Sequence, residues 1–178
     1  MKKICYIDNN PLQTSKVVEA LIGYYRDQTN EELEGTMALV NIDQKNSEDT
    51  IAYFKEFFEK KNTKLKECKS IEEVEEHIRK LDKENTVVMV DLHMAEGEEK
   101  EIDKDASYKC ISMQCMDELE KLGVRYVWYS SYAGNKFKDQ WQDRYKKLYQ
   151  REIPTIYERD ELILAHFNEL AAKEILGV

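Results

Sequence analysis

Three short apolar runs in this chain end in oxygen-bearing side chains. Lys3-Ile4-Cys5-Tyr6-Ile7 leads into Asp8, Val87-Val88-Met89-Val90 into Asp91, and Val124-Arg125-Tyr126-Val127-Trp128-Tyr129 into Ser130-Ser131. Four consecutive apolar residues after Thr86 read as a parallel strand buried on both faces, with Asp91 at its carboxyl end. Ligands of open α/β sheets bind in the crevice beyond those ends, so an acid there is placed to act on one. A lone Asp after a strand is often only a loop acid. Two at the exits of similar strands, with a hydroxyl at a third, form a constellation. His77, His93 and His166 have no spacing that suggests a zinc site.

The elements that would position these groups follow from periodicity. Pro11 sits where a helix would have its first turn, and Val17, Leu21 and Tyr24 with Val18, Ile22 and Tyr25 carry that helix to about Arg26. Residues 28–62 read as an insertion: Met37–Ile42 is a short strand or helix end, and Ile51, Phe54 and Phe58 mark a helix. It would cover one sheet face or form a docking surface for a partner. Leu65-Lys66-Glu67-Cys68 is the expected second core strand. Ser70 and Glu73 then form a capping box before a helix with Ile71, Val74, Ile78 and Leu81 on its apolar stripe.

Beyond Asp91, the acidic run from Glu96 to Asp105 reads as a solvated loop, or as a source of extra acids for a metal beside Asp91. Ile111, Cys115, Leu119 and Leu122 predict a helix ended by Gly123. Phe137, Trp141, Tyr145 and Leu148, after Gly134, predict another with an aromatic face, suited to core packing or, where exposed, to a partner. Ile153–Tyr157 is the expected fifth strand, and Asp160 opens the last helix through Ile163, Phe167 and Leu170.

With 178 residues, 42% of them hydrophobic, the chain can form one domain over 1–178 with a sizeable core. A formal net charge of -9 disfavours nucleic acid and anionic membranes as partners. No run of about 18 apolar residues is present and the N-terminus enters a strand directly, so a cytoplasmic location is expected. Cys5, Cys68, Cys110 and Cys115 lack CxxC pairing and are expected to be idle or buried thiols.

Ile7-Asp8-Asn9-Asn10-Pro11 resembles the acidic motif that opens response-regulator receiver domains. Asp91-Leu92-His93-Met94 with Gly97 looks like their phospho-acceptor strand end and loop, and Ser130-Ser131-Tyr132-Ala133 is similar to their hydroxyl position. The resemblance spans nearly the whole chain. It implies a doubly wound, flavodoxin-like α/β fold with a five-stranded parallel sheet, here with an insertion between the first helix and second strand.

The same resemblance implies a stand-alone receiver of two-component phosphorelay signalling, catalysing at most its own phosphorylation. Asp91 would be the phospho-acceptor and Ser130 a donor to the phosphoryl group. Asp8, Asn9, Asp91 and the main-chain carbonyl of His93 would hold Mg²⁺, and a histidine kinase or phosphotransfer protein would be the donor.

Departures from the family favour an alternative. Asn9 replaces one of two adjacent acids, which weakens Mg²⁺ binding, and Ala95 stands where Pro is common. No Lys stands at the exit of the fifth strand, where Glu158-Arg159 follows; Arg159 substitutes in charge, and Arg151 less well. These changes suit a pseudo-receiver, a phosphorylation-independent module that binds another signalling protein. A haloacid-dehalogenase-like hydrolase ranks last, because it would want an acid where His93 stands. Nucleotide binding is disfavoured because no Gly-rich loop follows the first strand.

Overall fold

The computed structural model describes residues 2–104, 109–131 and 138–178. Six parallel strands form one sheet: β1 (Lys3–Asp8), β2 (Glu34–Val40), β3 (Thr63–Cys68), β4 (Thr86–Asp91), β5 (Arg125–Ser130) and β6 (Ile156–Glu158), in the spatial order β3-β2-β1-β4-β5-β6. The chain winds outward from β1 to β3, returns beside β1 as β4, and winds outward again. β1 and β4 therefore flank the point where strand order reverses, and their carboxyl ends open the crevice that such a reversal creates.

The helices are α1 (Pro11–Thr29), α2 (Glu48–Glu59), α3 (Ile71–Arg79), α4 (Glu98–Lys104), α5 (Ile111–Leu122), α6 (Lys138–Tyr149) and α7 (Glu169–Leu176). One core layer joins Val17, Leu21, Phe54, Phe58 and Ile175 of α1, α2 and α7 to Ile4, Tyr6, Met89 and Tyr129 of the sheet. The other joins Val74, Ile78, Met116 and Tyr145 of α3, α5 and α6 to Cys5, Ile7, Val88 and Trp128. Sandwiched between these layers, every residue of β4 is buried, which is why it reads as unbroken hydrophobicity before its terminal acid.

The sheet has six strands where five were expected. Residues 28–62 contain β2 and α2, and β2 pairs directly with β1; the expected second strand, Leu65–Cys68, lies in β3 at the sheet edge. Glu34-Gly35-Thr36 interrupts the apolar run and hides the first half of β2. Gly35 is there for a packing reason, since a Cβ would collide with the Thr63 hydroxyl on β3. Lys64 and Lys66 point out of this edge strand and discourage further strand pairing.

Two further expectations change. Asp160 lies in a 3₁₀ turn, Arg159–Leu162, and the last α-helix starts only at Glu169, where Asn168 accepts from the backbone of Leu170 and Ala171. Part of the acidic run is helical as α4, and it is not wholly solvated: Ile102 and Glu98 are buried. The capping box at Ser70 forms, with Ser70 accepting from Glu73 N; the Glu73 carboxylate reaches one residue further back, to Lys69 N. All four cysteines are buried free thiols. Asp105, Tyr132, Ala133, Gly134 and Phe137, used in the sequence reading, lie outside the described residues. No helix among the described residues is long and apolar enough to cross a membrane.

Candidate functional site

Register brings the two acids together. Ile7 pairs with Val90 across β1 and β4, so Asp8 and Asp91 leave the sheet side by side. Asp91 in turn pairs with Tyr129 on β5. Side chains alternate along a strand, and Asp8, Asp91 and Tyr129 share the parity of Tyr6, Met89 and Val127, on the side of α1 and α7. Ser130 follows the opposite parity, that of Trp128; it is fully buried and does not line the crevice. The hydroxyl that does is Ser131.

Asp8 is 0% exposed and surrounded by donors. Its Oδ1 accepts from the backbone N–H of Asn10 at 2.9 Å. Its Oδ2 accepts from the Tyr129 hydroxyl and from Arg159 Nη2 at 3.1 Å. Thr14, buried in the first turn of α1, has its hydroxyl 3.0 Å from Asp8 Oδ2 and 2.9 Å from the Asn10 carbonyl, one proton between two acceptors. Asn10 also caps α1, accepting from Gln13 N, with Pro11 at the first helical position. The loop that presents Asp8 is thus fixed by the start of α1.

Arg159, one residue beyond β6, completes the cluster. Its Nη2 donates to Asp91 Oδ1 at 2.7 Å as well as to Asp8, its Nη1 reaches Ser131 Oγ at 3.4 Å, and its guanidinium lies over the Tyr129 ring at 5.0 Å. Only 4% of Arg159 and 5% of Asp91 are exposed, so both ionisable groups lie in the interior. Burial, reinforced by the Asp8 charge and only partly opposed by Arg159, raises the Asp91 carboxyl well above the usual range. Burial works against the Arg159 charge too, but Asp8 and Asp91 outweigh it and its pKa rises, so it stays a cation. Burial and the neighbouring Asp8 also raise Tyr129, keeping its hydroxyl a donor.

Asn9 holds loops rather than facing the carboxylates. Its side-chain nitrogen donates to the Met94 carbonyl at 2.7 Å, and its own carbonyl accepts from Asn46 at 3.0 Å, tying the exits of β1, β2 and β4 together. His93 takes a left-handed backbone, φ 64°, and turns its ring towards α6. There Nε2 meets the Tyr145 hydroxyl at 2.5 Å and the ring packs edge-on against Trp141. Burial lowers its pKa to about 4. The aromatic face of α6 therefore serves core packing through Tyr145, with Trp141 and Leu148 half-buried.

A cleft of about 470 Å³ opens over this cluster, with Asn9, Asp91, His93, Ser131 and Arg159 in its wall and the exposed Lys45–Glu96 ion pair at its rim. Mg²⁺ demands near-octahedral oxygen ligation at about 2.0–2.1 Å. Held as they are, Asp8 and Asp91 do not fit that ion: a guanidinium nitrogen stands between them, both Asp8 oxygens already accept hydrogen bonds, and Asn9 is engaged with Met94.

Sequence reasoning found Asp8, Asp91 and Arg159 but missed Thr14 and Tyr129. Thr14 lies within α1, six residues after Asp8, and Tyr129 reads as one more apolar strand residue. No protein-family model matches the chain, and comparison with curated proteins gives no relative.

Proposed function

We propose that this chain is a pseudo-receiver: a receiver-like signalling module that binds another signalling protein without accepting a phosphoryl group. The observation that carries the reading is Arg159, donating to Asp8 and Asp91 with one nitrogen. A phospho-acceptor carboxylate must be free to attack in line, with a cation left to neutralise the phosphoryl oxygens. Among the described residues, the only cation in contact with Asp91, Arg159, is already engaged by both acids, and the raised Asp91 carboxyl is a poorer nucleophile because it retains its proton to higher pH.

A second reading has one observation in its favour. The cleft does reach Asp91, so a phosphoryl donor could approach that carboxylate from solvent if Arg159 withdrew. The chain would then be a stand-alone receiver, with Mg²⁺ as cofactor and a histidine kinase or phosphotransfer protein as donor. Intact mass after incubation with acetyl phosphate and MgCl₂ separates the two. No adduct is expected on the unaltered chain; a single phosphate, absent from Asp91→Asn, would overturn the pseudo-receiver in favour of the receiver.

A further inference from the structure

Two carboxylates at a strand-order reversal, both almost wholly buried, need a positive charge between them. In this chain the charge is covalently attached. We propose that Arg159 is a built-in substitute for a divalent cation, so that guanidinium and metal are mutually exclusive occupants of the Asp8–Asp91 pair. This rests on the pseudo-receiver reading and deepens it by naming what keeps the pocket in one state.

The geometry carries the inference in three steps. One nitrogen, Nη2, reaches Asp8 Oδ2 at 3.1 Å and Asp91 Oδ1 at 2.7 Å, so the oxygens that would bridge an ion are bridged by a single atom of Arg159. The guanidinium is also anchored where an ion would not be. It lies over the Tyr129 ring, and Arg159 opens a 3₁₀ turn whose last residue, Leu162, is fully buried. Expelling it would give up the Tyr129 ring contact as well as both carboxylate hydrogen bonds, a loss that a competing metal must offset. Finally, the pocket retains hard oxygen donors if the guanidinium is removed. Asp91 and Ser131 offer a carboxylate and a hydroxyl from the cleft wall, Asp8 lies buried directly behind Arg159 Nη2, and the open cleft admits water for the remaining positions.

The consequence is a gain of function by deletion. With Arg159→Gln the buried pair loses its counter-ion, and an external divalent ion then competes only with a proton to neutralise it. The test is thermal unfolding of the full-length chain in EDTA and in increasing MnCl₂ or MgCl₂, for the unaltered protein, Arg159→Gln, and Arg159→Gln combined with Asp8→Asn.

The unaltered protein should show no metal-dependent shift in Tm. Arg159→Gln should rise by about 5 °C or more at saturating MnCl₂, and the added Asp8→Asn should abolish that rise. If Arg159→Gln is unfolded in EDTA, circular dichroism should show MnCl₂ restoring the folded signal. The proposal is overturned if Arg159→Gln, folded or unfolded in EDTA, responds to neither metal, or if the unaltered protein responds as strongly as the variant. Phosphorylation of the unaltered chain by acetyl phosphate would sink the pseudo-receiver alone, so failure of one reading is distinguishable from failure of the other.

Discussion

Arg159 Nη2 stands 2.7 Å from Asp91 Oδ1 although the two residues leave the sheet from strands separated by the whole of β5. The side chain crosses above the intervening Tyr129, whose ring supports the cation from below while its hydroxyl donates to Asp8. Three strand ends are thereby tied by one residue, and the cost of losing it can be ranked against the loss of its partners.

Removing the cation leaves two interior acids, Asp8 and Asp91, without their shared donor, whereas Asp91→Asn keeps Arg159 paired with Asp8 and replaces a carboxyl that already holds its proton to higher pH. Arg159→Gln should therefore destabilise by about 3–5 kcal/mol, the range for breaking one side of a buried ion pair. Asp91→Asn should cost much less, because Arg159 retains Asp8. Urea unfolding at neutral pH with unchanged denaturant slope measures both; equal losses would mean that Arg159 acts through packing and not through charge.

Asp91 also sets a sign for the dependence on pH. Its carboxyl is raised in the folded protein, mainly by burial and then by Asp8, so above the ordinary value of 3.8 the folded chain holds a proton that the unfolded chain has released. Stability from this group is greatest at low pH and is lost as pH rises through the folded pKa. Asp91→Asn does not titrate, so the stability difference, variant minus unaltered protein, should grow with pH above about 3.8 and then level off. A difference that stays flat with pH would contradict the raised carboxyl.

His93 has the opposite slope. Its pKa falls from 6.5 to about 4 in the fold, through burial first and Arg144 nearby, with Glu99 opposing. Between those values the unfolded chain takes up a proton that the folded chain refuses, so stability present above pH 6.5 drains away as pH falls towards 4. The loss can reach about 3 kcal/mol. Asn accepts the left-handed backbone at this position, so His93→Asn should fold, be less stable at pH 7 for want of the Trp141 and Tyr145 contacts, and lack this acid-side decline. Chemical unfolding at several pH values between 4 and 7 decides it.

How far the sequence carries the reader depends on whether a residue's role is set by its own strand or by its neighbours. Asp8 and Asp91 were legible because each follows a buried run, and their adjacency follows from the α/β alternation. Arg159 was legible as a stray charge where a Lys was sought, but its position between two acids depends on β6 lying two places from β4. The sequence singled out Ser130 and passed over Tyr129, because strands that are apolar on both faces reveal no parity; the register shows that Tyr129 faces Asp8 and Ser130 faces away. The extra strand was hidden for a local reason, the Glu34-Gly35-Thr36 start of β2, whose glycine is dictated by Thr63 on β3, a neighbour that the sequence did not pair with it.

Glu98 shows the same limit at the edge of the site, and yields the last test. It sits in an acidic run that looks wholly solvated, yet it is 1% exposed. The reason lies at α5: its N-cap, Cys110, makes no side-chain cap hydrogen bond. Glu98 supplies the missing acceptor from α4, taking the Ile111 N–H on Oε1 at 2.7 Å and the Ala95 N–H on Oε2 at 3.2 Å. A carboxylate at a helix N-terminus is favoured by the exposed N–H groups and the dipole there, which offsets the burial that raises its pKa. Glu98→Ala would leave both N–H groups without that acceptor and should cost roughly 2–4 kcal/mol, with faster amide exchange at Ile111 and Ala95. Glu98→Gln keeps one carbonyl acceptor but turns an NH₂ towards the other N–H, so it should lose about half as much and restore protection at one amide only. Equal protection in all three proteins would show that the α5 terminus is held by its own backbone and that Glu98 is buried for packing alone.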